Sequence, residues 1–157
     1  MLFRTVPVAE AVFRIDRLPA GLLEHPRDSL TLGWEDRLKT RARRRTDAGV
    51  EFGTALPRGT VLHAGDCLAL DNPPLVVVVR ELAEPVLVVR PSSSAECALW
   101  GYHIGNSHQP IMIGDDELVC ADLPGMEQVL TYHRIPFSRE MRAFTPVSQA
   151  PGHHGER

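Results

Sequence analysis

Residues 84–137 read EPVLVVRPSSSAECALWGYHIGNSHQPIMIGDDELVCADLPGMEQVLTYHRIPF, and their rhythm decides the fold. Val86-Leu87-Val88-Val89 is a short unbroken apolar run of the kind that forms a buried strand. Ser92-Ser93-Ser94 offers side-chain oxygens for a helix cap. Ala95 to Tyr102 then has the spacing of a helix that buries Ala95, Ala98, Leu99 and Tyr102, and Gly105-Asn106 stops it. Ile111-Met112-Ile113 is a strand, and Gly114-Asp115-Asp116 turns into a second one at Leu118-Val119-Cys120. Asp122 is the expected cap of another helix, with Pro124 in its first turn and Met126, Val129 and Leu130 along it to about Arg134. Ile135-Pro136-Phe137, with Met141 to Phe144, closes the pattern. The order strand–helix–strand–strand–helix–strand predicts a ferredoxin-like βαββαβ domain over 84–146.

Upstream the rhythm is different. Arg37-Leu38-Lys39-Thr40-Arg41-Ala42-Arg43 alternates with period two, so its basic side chains are expected on one face of a strand. Thr46-Asp47-Ala48-Gly49 is a turn, followed by the run 50–56, a break at Pro57-Arg58-Gly59, and Val61-Leu62. His63-Ala64-Gly65-Asp66, Cys67-Leu68-Ala69-Leu70, Asp71-Asn72-Pro73-Pro74 and Leu75-Val76-Val77-Val78-Val79 continue the alternation of turns and runs. Two or three strands are expected before residue 30, with Pro19-Ala20-Gly21 as a turn. Short runs punctuated this often predict a small β-sandwich or barrel over 1–83. Glu84-Pro85 is the joint between the halves. Residues 147–157 are polar and lack an apolar period, so a disordered tail is expected there. The fold class is therefore α+β, in two domains.

Composition narrows the functional classes. A hydrophobic fraction of 43% with 24% charged residues suits a folded globular chain. The net charge of −3 gives no global attraction to nucleic acid or anionic membrane. No apolar run approaches the roughly 20 residues of a membrane helix, and the first residues do not read as a signal peptide. Cys67, Cys97 and Cys120 are odd in number and in no CxxC pair, which argues for reduced thiols and a cytoplasmic setting.

The densest group of chemically capable side chains is Tyr102-His103-Ile104-Gly105-Asn106-Ser107-His108. Neutral imidazole suits nickel, copper and zinc. Gly105 and Asn106 can adopt the left-handed backbone that would project His108 outward. His103 reads equally as a metal ligand or as a helix-end histidine favoured by the helix dipole. The tail adds His153 and His154, a flexible pair able to reach an ion. Histidines alone do not decide between a metal site and incidental polar positions.

The segment Gly101 to Pro110 resembles the tyrosine-histidine-leucine-glycine-asparagine-arginine-histidine segment of the urease accessory nickel metallochaperones. Arg41-Ala42-Arg43, Thr46-Asp47-Ala48-Gly49, Leu56-Pro57-Arg58-Gly59, Gly65-Asp66 and Phe144-Thr145-Pro146 follow the same family's pattern in order, so the resemblance runs from about Leu32 to the carboxyl end. It implies a β-rich first domain that docks partners, a ferredoxin-like metal domain, and a homodimer that is not an enzyme. It also implies Ni2+ delivery to apo-urease together with the urease accessory GTPase and the maturation complex. By this resemblance His108 is the principal nickel ligand, near a dimer axis, His103 is secondary or structural, and His153 and His154 are mobile tail ligands. Zn2+ or Cu2+ would use the same donors. Ser107 stands where the family usually has arginine, and Cys120-Ala121-Asp122 where some relatives carry extra histidines.

Other classes compete with this expectation. A generic zinc or copper carrier would need the same histidines. A nucleic-acid module would use the basic strand 37–45, although the ferredoxin-like half lacks base-stacking aromatics on its strands. A Cys97–His103 or Cys97–His108 nucleophile pair would make an enzyme, but Cys97 is expected in mid-helix with no oxyanion hole. Arg90 before Ser92-Ser93-Ser94 would suit a phosphate hydrolase, but the segment lacks the glycines that wrap an anion.

Overall fold

The computed structural model describes residues 6–147. The chain divides into two compact units, Met1–Leu82 and Ala83–Arg157.

The first unit begins with β1 (Val8–Ala9), β2 (Val12–Arg14) and β3 (Arg27–Leu32), then a one-turn helix α1 (Trp34–Arg37). It continues with β4 (Arg41–Arg45), β5 (Glu51–Ala55), β6 (Asp66–Asp71) and β7 (Pro74–Glu81). One sheet has the order β1-β5-β4 and the other β2-β6-β7-β3. Ala9, Leu30, Phe52, Leu62, Leu68 and Val77 form one buried core. The β4–β5 hairpin turns at Gly49, whose φ of 99° a side-chain-bearing residue would resist. Asp47 in that turn accepts hydrogen bonds from the Ser29 hydroxyl and from the Thr31 amide and hydroxyl. These bonds tie the turn to β3 and hold the Asp47 carboxyl below its ordinary pKa.

Two expectations need correction here. The basic stretch does not begin its strand at Arg37, because Arg37 ends α1 and is 1% exposed. Its guanidinium donates to the Leu62 carbonyl (3.0 Å) and to Glu81 (3.4 Å). In β4, Arg41, Arg43 and Arg45 are exposed while Arg44 is buried and donates to the Asp36 and Lys39 carbonyls. The physical reason is that a guanidinium has enough donors to satisfy several buried carbonyls at once. Val61-Leu62 also forms no strand; Leu62 instead plugs the core.

The second unit consists of β8 (Glu84–Val89), α2 (Ser94–Asn106), β9 (Ile111–Ile113), β10 (Leu118–Ala121), α3 (Met126–Tyr132) and β11 (Ser138–Arg142). The sheet order is β11-β8-β10-β9 and every pair is antiparallel, which is the ferredoxin-like arrangement. Leu87 pairs with Cys120 and Val89 with Leu118, and these four join Ile104, Met126, Leu130 and Ile135 in the core.

Several local elements differ from their expected positions. Ser93 caps α2, accepting from the Glu96 amide, while Glu96 accepts from the amide and hydroxyl of Ser92. The helix then runs through Gly105 and Asn106 rather than stopping before them. It carries two apolar stripes, and the one holding Trp100 and Ile104 packs inward. The expected inner stripe is therefore outside: Ala95 and Ala98 are exposed, as are Leu99 (54%) and Tyr102 (66%). Asp122 does not cap α3. Gly125, in a left-handed conformation, precedes that helix, and Asp122 pairs with Arg139. The last strand is Ser138–Arg142, leaving Ile135 and Phe144 as buried plugs on either side.

Candidate metal centre

His108 is positioned by the way α2 ends. Ser107 caps the helix, its hydroxyl donating to the Ile104 carbonyl at 2.6 Å. The His108 amide donates to the Gly105 carbonyl at 3.1 Å. His108 itself, not Gly105 or Asn106, takes the left-handed backbone, with φ 57°. That conformation is uncommon outside glycine and is stored strain of the kind found at binding sites. The side chain is exposed.

His103 lies one turn earlier in α2 and is half-buried. Its ring stacks on His133 with centroids 3.9 Å apart and planes 17° from parallel. Tyr102 meets the His103 ring edge-on at 5.5 Å, and Tyr132 meets His133 edge-on at 4.9 Å. His133 was not singled out from sequence. It lies 30 residues from His103, and only the register of α3 against α2 brings the two rings together.

His153 and His154 lie outside the described residues. Among the described residues, no group of three or more His, Cys, Asp or Glu side chains forms a ready-made metal cluster. Within this span one chain thus presents His108 as a single open imidazole and His103–His133 as a stacked pair.

The other candidate chemistries lose their key groups. Cys97 lies in the first turn of α2 rather than mid-helix, and His103 is six residues further along, a rise of about 9 Å. That separation is too long for a nucleophile–base hydrogen bond. Cys120 is buried and its thiol is pushed up to about 12, which removes it as a ready thiolate ligand. Arg90 is engaged by Ser138, Glu140 and Glu117 rather than facing an anion site. In this network Arg142 also bonds Glu117 and holds that carboxyl below its ordinary pKa. Among the described residues, no helix is long and apolar enough to cross a membrane.

Comparison with known proteins agrees with this two-part layout. Residues 14–80 match the family model described as UreE urease accessory protein, N-terminal domain, and residues 84–157 match its C-terminal domain. A protein of Albidiferax ferrireducens named urease accessory protein UreE is 34% identical over 148 residues, covering 87% of this chain and 84% of the relative. Proteins of the same name from Paraburkholderia xenovorans and Burkholderia mallei strain SAVP1 are 36% and 35% identical, covering 79% and 87% of this chain. The chain spans 55% of the Paraburkholderia relative's length and 66% of the Burkholderia one's.

Proposed function

The chain belongs to the UreE family of urease accessory proteins, and on that footing we propose that it is a nickel carrier that delivers Ni2+ to apo-urease. The observation that carries the reading is His108, an exposed imidazole on a left-handed backbone directly after α2. It lies within the segment that resembles the family's nickel-binding stretch.

A single imidazole holds an ion weakly. Two, one from each copy across a two-fold axis, make a shared pair of nitrogen donors. The exposed apolar side chains of α2, Leu99 and Tyr102, supply a surface for a second copy. His153 and His154 then complete the coordination sphere with water, in the square-planar or octahedral sets that Ni2+ accepts. A site without thiolate, built from imidazoles and water, exchanges its ion readily, as a carrier must.

The first unit serves as the partner-docking domain for the urease accessory GTPase and the maturation complex, with exposed Arg41, Arg43 and Arg45 on β4 as the contact stripe. The setting is the cytoplasm, and the protein performs no catalysis of its own. Zn2+ and Cu2+ compete for the same nitrogens, and Cu2+ is intrinsically preferred, so metal supply and partners decide the cargo. The nucleic-acid reading is weaker because Arg37 and Arg44, two cations of the basic stretch 37–45, are spent inside the fold.

Nickel titration by calorimetry, with mass measured in parallel, tests the reading. The wild type binds Ni2+ as a dimer and His108→Ala loses the high-affinity phase while remaining dimeric. A His108→Ala protein with unchanged nickel affinity would overturn the assignment.

A further inference from the structure

After its last strand the chain crosses the sheet of the second unit. β11 lies at one edge of the order β11-β8-β10-β9 and ends at Arg142. The Val147 amide nevertheless donates to the Ile111 carbonyl of β9, at the other edge, at 2.8 Å. Three strand spacings are about 14–15 Å, and the chain from Arg142 to Val147 extends to roughly 17–18 Å, so residues 143–146 run nearly straight across. Phe144 is fully buried on the way, and the Thr145 amide donates to Met112 Sδ at 3.4 Å. Met112 alternates with Ile111, which packs toward the helices, so this strap passes on the face away from α2 and α3.

The far end of the strap lies beside His108. The Gly114 amide donates to the Glu117 carbonyl, and the register then turns the backbone groups of Met112 toward β10. The Ile111 carbonyl therefore points to the open edge of β9, where Val147 meets it. Ile111 is three residues from His108, at most about 11 Å of chain, and one strand spacing adds about 5 Å. His153 is six residues beyond Val147, and six residues span at most about 20–22 Å. The reach thus exceeds the span only modestly, which is the condition for a high effective concentration. A tail leaving directly from Arg142 would have a tether of 11 residues to His153 and would start three strands away.

We infer that Phe144–Val147 is a strap that delivers His153 and His154 to the nickel ion at His108, with Phe144 and Val147 as positioning residues. The inference rests on the nickel-carrier reading above. Phe144 holds the strap to the sheet, and the Val147 amide fixes the point from which the tail departs. The weight of closed states falls as the 3/2 power of tether length. Releasing the strap lengthens the tether from 6 to 11 residues and lowers the effective concentration about 2.5-fold. Inserting 18 Gly/Ser residues after Val147 lengthens it from 6 to 24 and lowers the effective concentration about eightfold.

Nickel titration of the full chain reads these factors. The insertion lowers Ni2+ affinity about eightfold for each tail that ligates, and Val147→Pro, which removes the anchoring amide, lowers it about two- to threefold. With His153 and His154 changed to alanine, neither modification moves the affinity further, a result that general loss of structure would not reproduce. In the unmodified protein, hydrogen exchange at the Val147 amide is slowed, a readout that needs no variant to fold. Three results would each overturn the strap while leaving the carrier reading intact. These are His108-dependent nickel binding unmoved by the insertion, an insertion effect that persists without the tail histidines, and a Val147 amide that exchanges at the free-peptide rate. A wild type without nickel affinity would overturn both.

Discussion

Replacing His108 by glycine should stabilise the metal-free protein while removing its nickel affinity. At φ 57° the Cβ of His108 crowds the backbone, and an L-residue in the left-handed region costs about 1–2 kcal/mol. Glycine avoids that cost but adds unfolded-chain entropy of roughly 0.5–1 kcal/mol. The amide bond from His108 to the Gly105 carbonyl is a backbone bond and survives the change. The net gain is therefore about 0.5–1 kcal/mol, or roughly 2–8 °C in melting temperature for a domain of this size. His108→Ala keeps the Cβ and should gain nothing. Arg134, also left-handed at φ 56°, is an internal control: Arg134→Gly should raise stability without lowering nickel affinity at His108. Thermal unfolding in chelator followed by circular dichroism, paired with nickel calorimetry, reads both quantities. A glycine variant that melts at or below the alanine variant would refute the strain argument, whatever happens to the metal.

Arg37→Ala removes the buried donor to the Leu62 carbonyl and to Glu81, which keeps only the Ala64 amide and the His63 ring. It should lower first-unit stability by about 3 kcal/mol or more in urea unfolding, whereas Arg43→Ala on the exposed face should change it little. Glu117 has its carboxyl pKa depressed by Arg142 and Arg90, so its contribution is complete above the ordinary carboxylate range and is lost as pH falls from there through the lower folded-state pKa. Urea midpoints of the wild type should accordingly drop further between pH 7 and acid than those of Glu117→Gln. Of the three free cysteines, Cys97 is exposed while Cys67 and Cys120 are buried with raised pKa values. Mass spectrometry after brief alkylation of the native protein should find one adduct, on Cys97, and three only after unfolding.

The sequence was informative wherever a pattern is set by one element alone. The βαββαβ order is read directly from the run Val86 to Val89, the serine cap and the glycine-marked turns, and the sheet order follows from that connectivity. Choices between near-equal alternatives were harder. α2 has two apolar stripes, and helical spacing does not say whether Leu99 or Trp100 faces the sheet; only the packed cluster shows Trp100 and Ile104 against Leu87 and Val89. Alternation made Arg37 look like part of a solvated basic face with Arg41 and Arg43, because sequence does not reveal carbonyls waiting to be capped from inside, as Arg37 and the out-of-phase Arg44 do. Asp122 looked like a cap, yet Arg139 on β11, one strand beyond β8, engages it. His108 stands out by its motif, but its left-handed backbone is evident only once α2 is seen to run through Asn106. His133 left no local trace, since its partnership with His103 depends on helix–helix register.

The central claim is that two copies of His108 share one nickel ion, and mixed dimers test it most directly. Dimers containing one wild-type chain and one His108→Ala chain, separated by different affinity tags, are titrated with Ni2+. A shared site predicts that the mixed dimer loses the high-affinity phase almost as completely as the doubly substituted one. A mixed dimer that keeps half of the wild-type sites at full affinity would contradict the shared site and assign each ion to a single chain.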